Sequence, residues 1–366
     1  FPYTTLFRSH VRDPRLLVIN PGSTSTKVAV FQGEQVAASE TLRHDAAAIA
    51  AFSRIFDQFD MRKEAVVEFL ARAGFAMNQL SAVIGRGGVL PPVEGGVYEV
   101  DDAIVEALYE HGWNHASSLG GLIARDIARA ARIPAYIADP VTTDELDDVA
   151  RYTGLPEIER RSVFHALNQK AVARQAASAL GREYHDCNLI VVHLGGGISV
   201  GGHRKGRVAE VSNALDGEGP YSPERSGTLP NTGVIRLCFS GDYTEREMRR
   251  KITGQGGLVA YLGTNSLLDV EKRIAEGDSQ AKLCYEGMAY QVAKEIGRVA
   301  CAMSGEVDAI VVTGGAANSK MLVEWITARV KFIARVMVYP GEEEMLALAR
   351  AALRALAGVE QVKRIS

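Results

Sequence analysis

Residues 16–31 read LLVINPGSTSTKVAVF, in which two apolar runs flank a turn of Asn, Pro, Gly and hydroxyl residues. Short β-branched runs joined by such a turn are typical of a β-hairpin. The turn exposes backbone N–H groups, and its hydroxyls and the following lysine add further donors, which together can hold a phosphate. The residues expected to do so are Asn20, Gly22, Ser23, Ser25 and Lys27. An ordinary polar hairpin loop has the same composition, so this stretch alone leaves both interpretations open.

A second stretch with the same design follows about half a chain later. The apolar run Leu189–Leu194 enters a turn of three glycines, and Ile198–Gly202 returns as a strand. Because glycine has no Cβ, the backbone of such a turn can approach an anion closely. The candidate phosphate ligands here are His193, Gly195, Gly196 and Gly197. A tight hairpin or a β-bulge gives the same pattern, and the spacing matches neither the G-x-G-x-x-G dinucleotide fingerprint nor a P-loop.

A third glycine-containing stretch spans residues 311–318, where an apolar strand ends in Gly314 and Gly315. A strand that ends in small residues lets a flat adenine or ribose lie directly on the backbone. A plain strand-to-helix turn has the same pattern, so this stretch is informative chiefly through its place after the other two.

Outward from these stretches, each half of the chain opens with strand, turn and strand. The first half continues with alternating helices and strands, and the second repeats this theme around a long apolar helix near residues 281–303. An internal duplication explains the repetition. The expected fold is therefore α/β, with two similar domains facing each other across a cleft that suits a nucleotide. The expected domains are residues 15–150, completed by 345–366, and residues 151–344.

Composition narrows the classes of function. The chain has 366 residues and a formal net charge of −3 at pH 7, a length that fits two domains. A charge this close to neutral argues against a nucleic-acid partner, and no run approaches the ~20 apolar residues of a membrane helix. The four cysteines form no CxxC pair, so we expect them to be reduced and buried in a cytoplasmic protein. Residues 1–14 show no periodicity and are expected to be a non-native extension.

Together, the order and spacing of the three stretches resemble the two phosphate loops and the adenosine motif of the actin-like ATPase superfamily, which has duplicated ribonuclease-H-like domains. At finer grain the chain is similar to the acetate-kinase family. Residues 20–27 resemble its opening loop, and His193-Leu194-Gly195 followed by residues 224–227 resembles its second phosphate loop and arginine loop. Residues 85–92 and 339–342 are similar to the butyrate-kinase branch in particular. The resemblance covers nearly the whole chain from Leu16 onward.

The resemblance implies a phosphotransferase that uses ATP and Mg²⁺ and has a carboxyl group as acceptor. For the butyrate-kinase branch, the reaction is ATP plus butanoate giving ADP and butanoyl phosphate, reversibly and by direct in-line transfer. The implied partners are a small-molecule carboxylate and further copies of the same chain in a cytoplasmic homo-oligomer.

The chemistry of this reaction explains why arginines matter. A carboxylic acid is already an anion at neutral pH, so its attack needs no general base. The obstacle is repulsion between two anions, which a site must offset with cations and hydrogen-bond donors. Arg86 and Arg225 each lie in a glycine-flanked loop, and the resemblance implies that Arg86 binds the acyl carboxylate while Arg225 steadies the transferring phosphoryl group. The expected lining of the acyl pocket is Val89, Leu90 and Pro91.

Three histidines are candidates for the site. By resemblance, His165 donates to the phosphoryl oxygens and His115 lies on the substrate side. The run around His165 departs from the family, since Val-Phe-His-Ala-Leu-Asn-Gln stands where the family has Gly-Phe-His-Gly-Thr-Ser-His. A satisfied core histidine is therefore an open alternative for His165, and a structural role is equally open for His193.

Magnesium takes hard oxygen ligands, usually one or two carboxylates together with phosphate and water. The resemblance implies that Asp139, at the end of a strand, lies near the metal and the attacking group. Residues 342–344 are three glutamates expected to open the last helix, and Glu342 or Glu344 corresponds to the metal-linked glutamate of the family. Acids in the first turn of a helix are stabilising in any case, which leaves this assignment open.

Other functions stay open. An acetate, propionate or branched-chain fatty acid kinase would use the same loops with a different acyl pocket. A sugar kinase of the superfamily needs an aspartate as base toward a hydroxyl; Asp139 could serve, but Arg86 and Arg225 would then lack a role. A nucleotide-gated binding protein without catalysis is expected to carry a peptide-binding domain or a long insertion, and none is recognised in this sequence.

Overall fold

The computed structural model describes residues 13–112 and 115–365, so the expected extension at residues 1–14 lies almost wholly outside the described residues. The described chain divides into two compact units. The first unit comprises residues up to Thr142 and from Glu343 onward, and the second comprises Thr143–Glu342. The chain thus leaves the first unit, forms the second, and returns to complete the first.

The structure has the following elements in chain order. The strands are β1 (Arg15–Pro21), β2 (Ser25–Gln32), β3 (Gln35–Arg43), β4 (Ala82–Arg86), β5 (Val97–Glu99), β6 (Ala135–Ala138), β7 (Asn188–Leu194), β8 (Ile198–Arg204), β9 (Arg207–Val211), β10 (Ala309–Gly314) and β11 (Val336–Pro340). The helices are α1 (Ala46–Ala50), α2 (Phe59–Arg72), α3 (Asp102–His111), α4 (Ser118–Ala131), α5 (Asp148–Arg151), α6 (Ala166–Ala179), α7 (Asn231–Cys238), α8 (Glu245–Ile252), α9 (Gly257–Leu262), α10 (Leu267–Ala275), α11 (Ser279–Ala302), α12 (Lys320–Val330) and α13 (Glu344–Leu356). Short 3₁₀ turns occupy Ile55–Gln58, Met77–Gln79, Tyr184–Asp186 and Gly315–Asn318.

The first unit is built on a mixed sheet with the strand order β3-β2-β1-β4-β6-β5. Strands β1, β2 and β3 are antiparallel neighbours, β1, β4 and β6 run parallel, and β5 is an antiparallel edge strand. Residues 16–19 of β1 are fully buried, because α4 and α13 both contact this strand. A strand covered by helices must be apolar on both of its faces, which is why residues 16–19 form a continuous apolar run rather than an alternating one.

The second unit repeats this topology. Its sheet has the order β9-β8-β7-β10-β11, with β7, β8 and β9 antiparallel and β7, β10 and β11 parallel. Each strand therefore has a counterpart in the first unit, from β1 and β7 at the centre to β6 and β11. The expected duplication is confirmed at the level of strand order and direction, and β5 is the one strand of the first sheet that the second sheet lacks.

Helix α4 approaches β4 unusually closely, and glycine makes this approach possible. A Cβ atom at Gly120 of α4 would lie 2.7 Å from both the amide nitrogen and the carbonyl oxygen of Arg86, and one at Gly85 of β4 would overlap the backbone of Gly120. Real Cβ atoms do not come this near to backbone atoms. The glycine pair therefore brings the helix backbone directly against the end of the strand that carries Arg86.

Some expectations from the sequence are wrong. The three glutamates at residues 342–344 do not all open the last helix, because α13 begins at Glu344 while Glu342 lies outside the helix and belongs to the second unit. Two of the cysteines expected to be buried, Cys238 and Cys301, are exposed, while Cys187 is buried. Within the described residues, no helix has the length and apolarity of a membrane span.

Candidate active site

The turn between β1 and β2, residues 22–25, is tightly closed. The amide nitrogen of Gly22 donates to the carbonyl oxygen of Ser25 over 2.7 Å. Ser23 and Thr24 are exposed at the tip, and Lys27 is exposed on the first residues of β2. The turn therefore presents hydroxyls and a lysine to solvent, as the sequence predicted for a phosphate loop.

Beneath this turn lies a residue that the sequence did not single out. Arg62 of α2 is completely buried. Its guanidinium donates to the carbonyl oxygens of Gly22 (2.9 Å), Ser23 (2.9 Å) and Ser25 (3.2 Å), to Thr26 Oγ1 (3.1 Å) and to Gln58 Oε1 (3.0 Å). Burial lowers the pKa of Arg62 from its ordinary value. The sequence around it reads as a solvated helix face, and no local signal marks the arginine as buried.

Arg86, Asn20 and Glu344 come together in the first unit. Arg86 forms an ion pair with Glu344 Oε1, and Asn20 Nδ2 donates to Glu344 Oε2 over 2.7 Å. The side chains of Arg86 and Glu344 are only 14% and 22% exposed, so this contact is partly shielded from water. Of the two candidate metal-linked glutamates, Glu344 thus lies against the predicted carboxylate-binding arginine and the first residue of the opening loop.

His115 is held in a defined orientation close to this cluster. Its Nδ1 lies 2.7 Å from Ser117 Oγ and also accepts the backbone N–H of Ser117 over 3.3 Å. A nitrogen that accepts a backbone N–H carries no hydrogen, so neutral His115 has its hydrogen on Nε2. Burial, and secondarily the charge of Arg86, lower the pKa of His115. His115 is therefore neutral at pH 7 and can donate one hydrogen bond from Nε2.

Asp139 occupies a strained position directly after β6. Its φ angle is 40°, in the left-handed region that side chains other than glycine rarely adopt. The residue is buried, and a reciprocal pair of bonds with Gly96 holds it: Asp139 N donates to Gly96 O over 3.0 Å and Asp139 Oδ1 accepts from Gly96 N over 2.8 Å. Strain of this kind persists only where the surroundings enforce it, and it is frequent at functional sites.

Two of the three predicted acyl-pocket residues are buried in the first unit. Leu90 is buried within the main apolar cluster, Val89 is buried, and Pro91 is half-buried. Their assignment to an acyl pocket stays a prediction.

In the second unit, Arg225 covers the glycine turn between β7 and β8. A Cβ atom on Gly197 would overlap the guanidinium of Arg225, so any other residue here would displace the guanidinium from this position. Ser222 fixes the loop that carries it, since its hydroxyl donates to Gly196 O and accepts the backbone N–H groups of Glu224 and Arg225 over 3.3 and 3.1 Å. Burial lowers the pKa of Arg225, and the negative charge of the neighbouring Glu224 offsets part of this lowering. The predicted arginine loop and the predicted second phosphate loop are thus in contact.

Two predicted histidines stack on each other behind this turn. The rings of His165 and His193 are nearly parallel, at 7°, with centroids 3.7 Å apart. His193 Nδ1 lies 2.9 Å from Asn168 Oδ1, and its Nε2 lies 3.1 Å from Glu342 Oε1. The structure thus brings together His165, His193 and Glu342, which are far apart in the sequence. Asn168, from the run that departs from the family pattern, is a partner that the sequence did not identify.

A chain of hydrogen bonds supports His165 from the core. His165 Nδ1 lies 2.8 Å from Ser199 Oγ, which in turn accepts from Gln169 Nε2 over 2.9 Å. Gln169 Nε2 also donates to the Ser199 carbonyl, and its Oε1 lies 3.0 Å from His203 Nε2. His203 Nδ1 lies 2.7 Å from the Tyr184 hydroxyl.

The protons of this chain can be assigned. A carbonyl oxygen only accepts, so the Ser199 carbonyl fixes the Gln169 amide and leaves its Oε1 to accept from His203 Nε2. Burial, and then the charges of Lys170 and Arg174, lower the pKa of His203 well below its ordinary value. Neutral His203 therefore has a bare Nδ1 that accepts from Tyr184. Ser199 Oγ accepts from Gln169 and keeps its own hydrogen to donate; a Ser199 hydroxyl that donates to His165 Nδ1 places the hydrogen of a neutral His165 on Nε2.

The second unit also carries a pocket of about 980 Å³ beside the glycine turn. Its lining includes Gly195 and Gly196 of that turn, Gly315 of the predicted adenosine motif, and Glu342. Glu224, Asn265 and Glu271 add polar groups that the sequence did not identify. The Nδ2 of Asn265 donates to Glu224 Oε1 over 2.6 Å.

The strand under the adenosine motif packs tightly on its neighbour. Gly314 has a φ angle of 93°, and a Cβ atom there would overlap the backbone of Leu194 at the end of β7. Gly314 and Gly341 exchange backbone hydrogen bonds of 3.1 and 2.9 Å. Because of these contacts the third glycine stretch lies directly beside the second, in the order that the sequence suggested.

The described residues offer magnesium a single accessible carboxylate rather than a cluster of protein ligands. No group of three or more His, Cys, Asp or Glu side chains suited to a metal occurs in the described part of the chain. Glu342 lines the pocket beside the glycine turn, and its side chain is 41% exposed. A single accessible carboxylate of this kind suits Mg²⁺, which is commonly held by one or two carboxylates plus substrate phosphates and water.

Comparisons with known proteins agree with one another. The model of the acetokinase family matches residues 155–352. A curated protein named Butyrate kinase 2, from Clostridium acetobutylicum, is 52% identical over 351 residues, which are 96% of this chain and 99% of that protein. Among solved structures, acetate kinase from Porphyromonas gingivalis has a TM-score of 0.75 at 18% identity, covering 93% of this chain and 99% of its own. A propionate kinase from Francisella tularensis has a TM-score of 0.73 at 20% identity, with coverages of 92% and 98%.

Proposed function

The chain belongs to the acetokinase family, and on that premise we propose that it transfers the γ-phosphoryl group of ATP to the carboxylate of butyrate or a similar short acid. The products are ADP and an acyl phosphate, and the reaction is reversible because the acyl phosphate is reactive enough to return its phosphoryl group to ADP. The observation that carries the choice of acid is the 52% identity, over nearly the full length of both chains, to a butyrate kinase. The solved structures support the fold alone.

The reaction balances without a proton transfer. One oxygen of the ionised acid forms a bond to the γ-phosphorus, while the bond from that phosphorus to the β–γ bridging oxygen breaks. The electron pair leaves with ADP. The protein therefore contributes positioning and charge stabilisation rather than a general base.

Named residues supply these contributions in each unit. In the first unit, we assign the acyl carboxylate to Arg86, with His115 as a neutral donor near it and Asp139 close to the reacting group. Lys27 and the turn at residues 22–25 are assigned to phosphate. Arg86 already pairs with Glu344, so the substrate carboxylate would share the arginine fork with that glutamate.

In the second unit, we assign the transferring phosphoryl group to Arg225 and to His165, whose Nε2 hydrogen is available by the proton assignment above. The glycine turn, residues 195–197, would hold further phosphate oxygens. The pocket lined by Gly315, Glu271 and Asn265 suits the adenosine, since carboxylate and amide oxygens can accept hydrogen bonds from ribose hydroxyls.

Magnesium would neutralise the charge of the polyphosphate when bound, and Glu342 is the residue we assign to it in the second unit. His193 Nε2 lies 3.1 Å from the same carboxylate and helps to fix its position. The expected cytoplasmic location and homo-oligomeric assembly stay predictions.

The experiment is acyl phosphate formation from MgATP, trapped as the hydroxamate, with acetate, propionate, butyrate, isobutyrate and glycerol tested side by side. We expect kcat/KM for butyrate or isobutyrate to exceed that for acetate by about tenfold or more, since each methylene in an apolar pocket contributes roughly 1–3 kcal/mol. Turnover chiefly with acetate would move the chain to an acetate-kinase specificity. ADP formation with glycerol but with no acid would contradict the proposal in favour of a hydroxyl acceptor.

A further inference from the structure

Arg62 is the most deeply buried arginine among the described residues of the first unit, and its contacts indicate a role in orienting the turn at residues 22–25. It is the largest of the fully buried side chains in the described residues. The five oxygens that accept from it belong to carbonyls, an amide and a hydroxyl, and all of them are neutral. Burying a guanidinium in such surroundings is unfavourable unless something else makes use of the charge.

The bonds from Arg62 determine which way the turn faces. In a planar trans peptide, the C=O of one residue and the N–H of the next point in opposite directions. Arg62 holds the carbonyls of Gly22 and Ser23 toward itself, so the N–H groups of Ser23 and Thr24 point away from it. The Thr24 carbonyl is also engaged, because it accepts from the amide of His44 over 3.0 Å. The turn therefore keeps the carbonyl oxygens of Gly22 and Ser23 on the inner side and the amides of Ser23 and Thr24 on the outer side, while the Gly22 amide is used within the turn.

Outward-facing amides can bind an anion, and a turn without Arg62 behind it would be free to rotate its carbonyl oxygens outward instead. Successive N–H groups that converge on one point form a concave anion site. Carbonyl oxygens that rotated outward would repel the same anion. A fixed cation directly behind the turn adds a favourable potential at the phosphate, and that potential is strong because the guanidinium is shielded from water.

We propose that Arg62 is a positioning residue for nucleotide phosphate binding. It acts through the turn at residues 22–25, because it holds the amides of Ser23 and Thr24 facing outward. It does not itself touch the phosphate. The inference rests on the proposed function, because it assigns that turn to the phosphates of ATP. It goes further by naming the residue that makes the turn able to bind an anion.

Binding is tested with a probe that needs no catalysis. The shift in melting temperature on titration with sodium tripolyphosphate is measured for the whole protein and for Arg62→Lys and Arg62→Gln. Lysine keeps the charge but has three donors on a single atom, so it cannot serve the five acceptors that the guanidinium bonds; glutamine removes the charge as well. We expect the Kd for tripolyphosphate to rise by about tenfold or more in both variants, which corresponds to roughly 1.4 kcal/mol.

Steady-state kinetics separate positioning from a general loss of structure. In the Arg62 variants, the KM for MgATP should rise several-fold more than the KM for butyrate. The matched control is Arg160→Lys in the second unit, where a largely buried arginine is held by Glu210 and Glu218. That control should lower the melting temperature while leaving the tripolyphosphate Kd and the KM for MgATP unchanged.

A milder variant keeps the test decisive if both Arg62 variants fail to fold. Gln58→Leu removes only the bond to Arg62 Nε and leaves the four other acceptors to hold the guanidinium, so it should raise the tripolyphosphate Kd by only about two- to fivefold, or roughly 0.4–1 kcal/mol. An unchanged Kd in every folded variant, with normal binding by the parent protein, would overturn the role of Arg62. Failure of the parent protein itself to bind tripolyphosphate or ADP would instead remove the proposed function, and the inference with it.

Discussion

At the scale of the residue, two buried arginines illustrate two ways of keeping a charge inside a protein. Arg160 is accompanied by the carboxylates of Glu210 and Glu218 at 2.8 and 3.0 Å, and despite its burial these partners raise its pKa. Arg62 has neutral partners, and burial lowers its pKa. The charge of Arg160 is met by carboxylates within the fold, whereas in our proposal the charge of Arg62 is met by the anion that binds on the far side of the turn.

His203 should make stability depend on pH in a defined direction. Its pKa in the folded state is well below that in the unfolded chain, so below about pH 6.5 the unfolded state binds a proton that the folded state does not. The contribution of neutral His203 to the free energy of unfolding is therefore fully present above the unfolded-state pKa. It decreases as the pH falls below that value, by up to about 1.4 kcal/mol per pH unit. Urea unfolding of the parent protein between pH 7.5 and 5 measures this slope.

The control for this prediction is His203→Gln, which keeps a polar side chain without a titrating group. Other groups titrate equally in both proteins, so the difference between the two slopes isolates His203. We expect the variant to be less stable at pH 7.5 but to lose less of its remaining stability on acidification. Parallel slopes would contradict the assignment of a neutral, buried His203.

The candidate site residues that the sequence offered lie in short motifs, and residues that contact those motifs from distant parts of the chain gave no signal in the sequence. Arg86, Arg225 and the two turns stand beside glycines, and that local signal is readable. Gln169 and Arg62 lie in helices whose sequences look like ordinary amphipathic surfaces, and only the tertiary fold decides that they face a strand or a turn. The stacking of His165 on His193 likewise has no signature at their separation in the chain.

At the scale of the element, the contact between α4 and β4 is the one that positions Arg86. We predict that Gly120→Ala lowers the free energy of unfolding by about 1–3 kcal/mol or more, because its Cβ would press on the Arg86 backbone, which cannot move aside as a flexible side chain could. It should also raise the KM for the acid more than the KM for MgATP. Urea denaturation and steady-state kinetics measure the two effects.

The matched control is Gly297→Ala in the interior of α11, where a Cβ atom would meet nothing within 4 Å. There the substitution should be neutral or stabilising by up to about 1 kcal/mol, in line with the helix propensities of the two residues. Equal effects at both glycines would mean that the close approach of α4 to β4 has no energetic importance.

Elements with a complete apolar pattern were predicted well, and those without one were not. The predicted strands Leu189–Leu194 and Ile198–Gly202 correspond to β7 and β8 to within one or two residues at one end, because a buried strand needs an apolar run that ends where the burial ends. β5 has only three residues and is a strand because it pairs with β6, so nothing in its own sequence distinguishes it from a loop. α7 spans only eight residues and buries none of them, so it is shorter than the stretch of about 11–18 residues over which helical periodicity is recognised.

At the scale of the whole molecule, the two units differ in continuity. The second unit is one segment, Thr143–Glu342, whereas the first needs α13 from the end of the chain. Helix α13 contacts β1, β4 and β6 and buries Leu348 together with several alanines. We therefore predict that a fragment of residues 143–342 unfolds cooperatively in urea, while a fragment of residues 13–142 does not.

Restoring the missing helix provides the control. A fragment in which residues 343–366 are joined to residue 142 by a flexible linker should regain a cooperative transition, followed by circular dichroism. A cooperative transition of residues 13–142 alone, with the same midpoint as the linked fragment, would show that α13 is dispensable to the first unit.

The late return of the chain has a consequence during synthesis. When the ribosome has released the first 142 residues, the face of β1 and β4 that α13 covers has no helix to cover it. Translation of the remaining chain takes on the order of ten seconds or more at about 5–20 residues per second. Over that interval the nascent first unit exposes the apolar face of β1 and β4, and the whole of the second unit is made before α13 follows. The unit that is begun first is thus completed last, and we expect it to be the one that depends on a chaperone during synthesis.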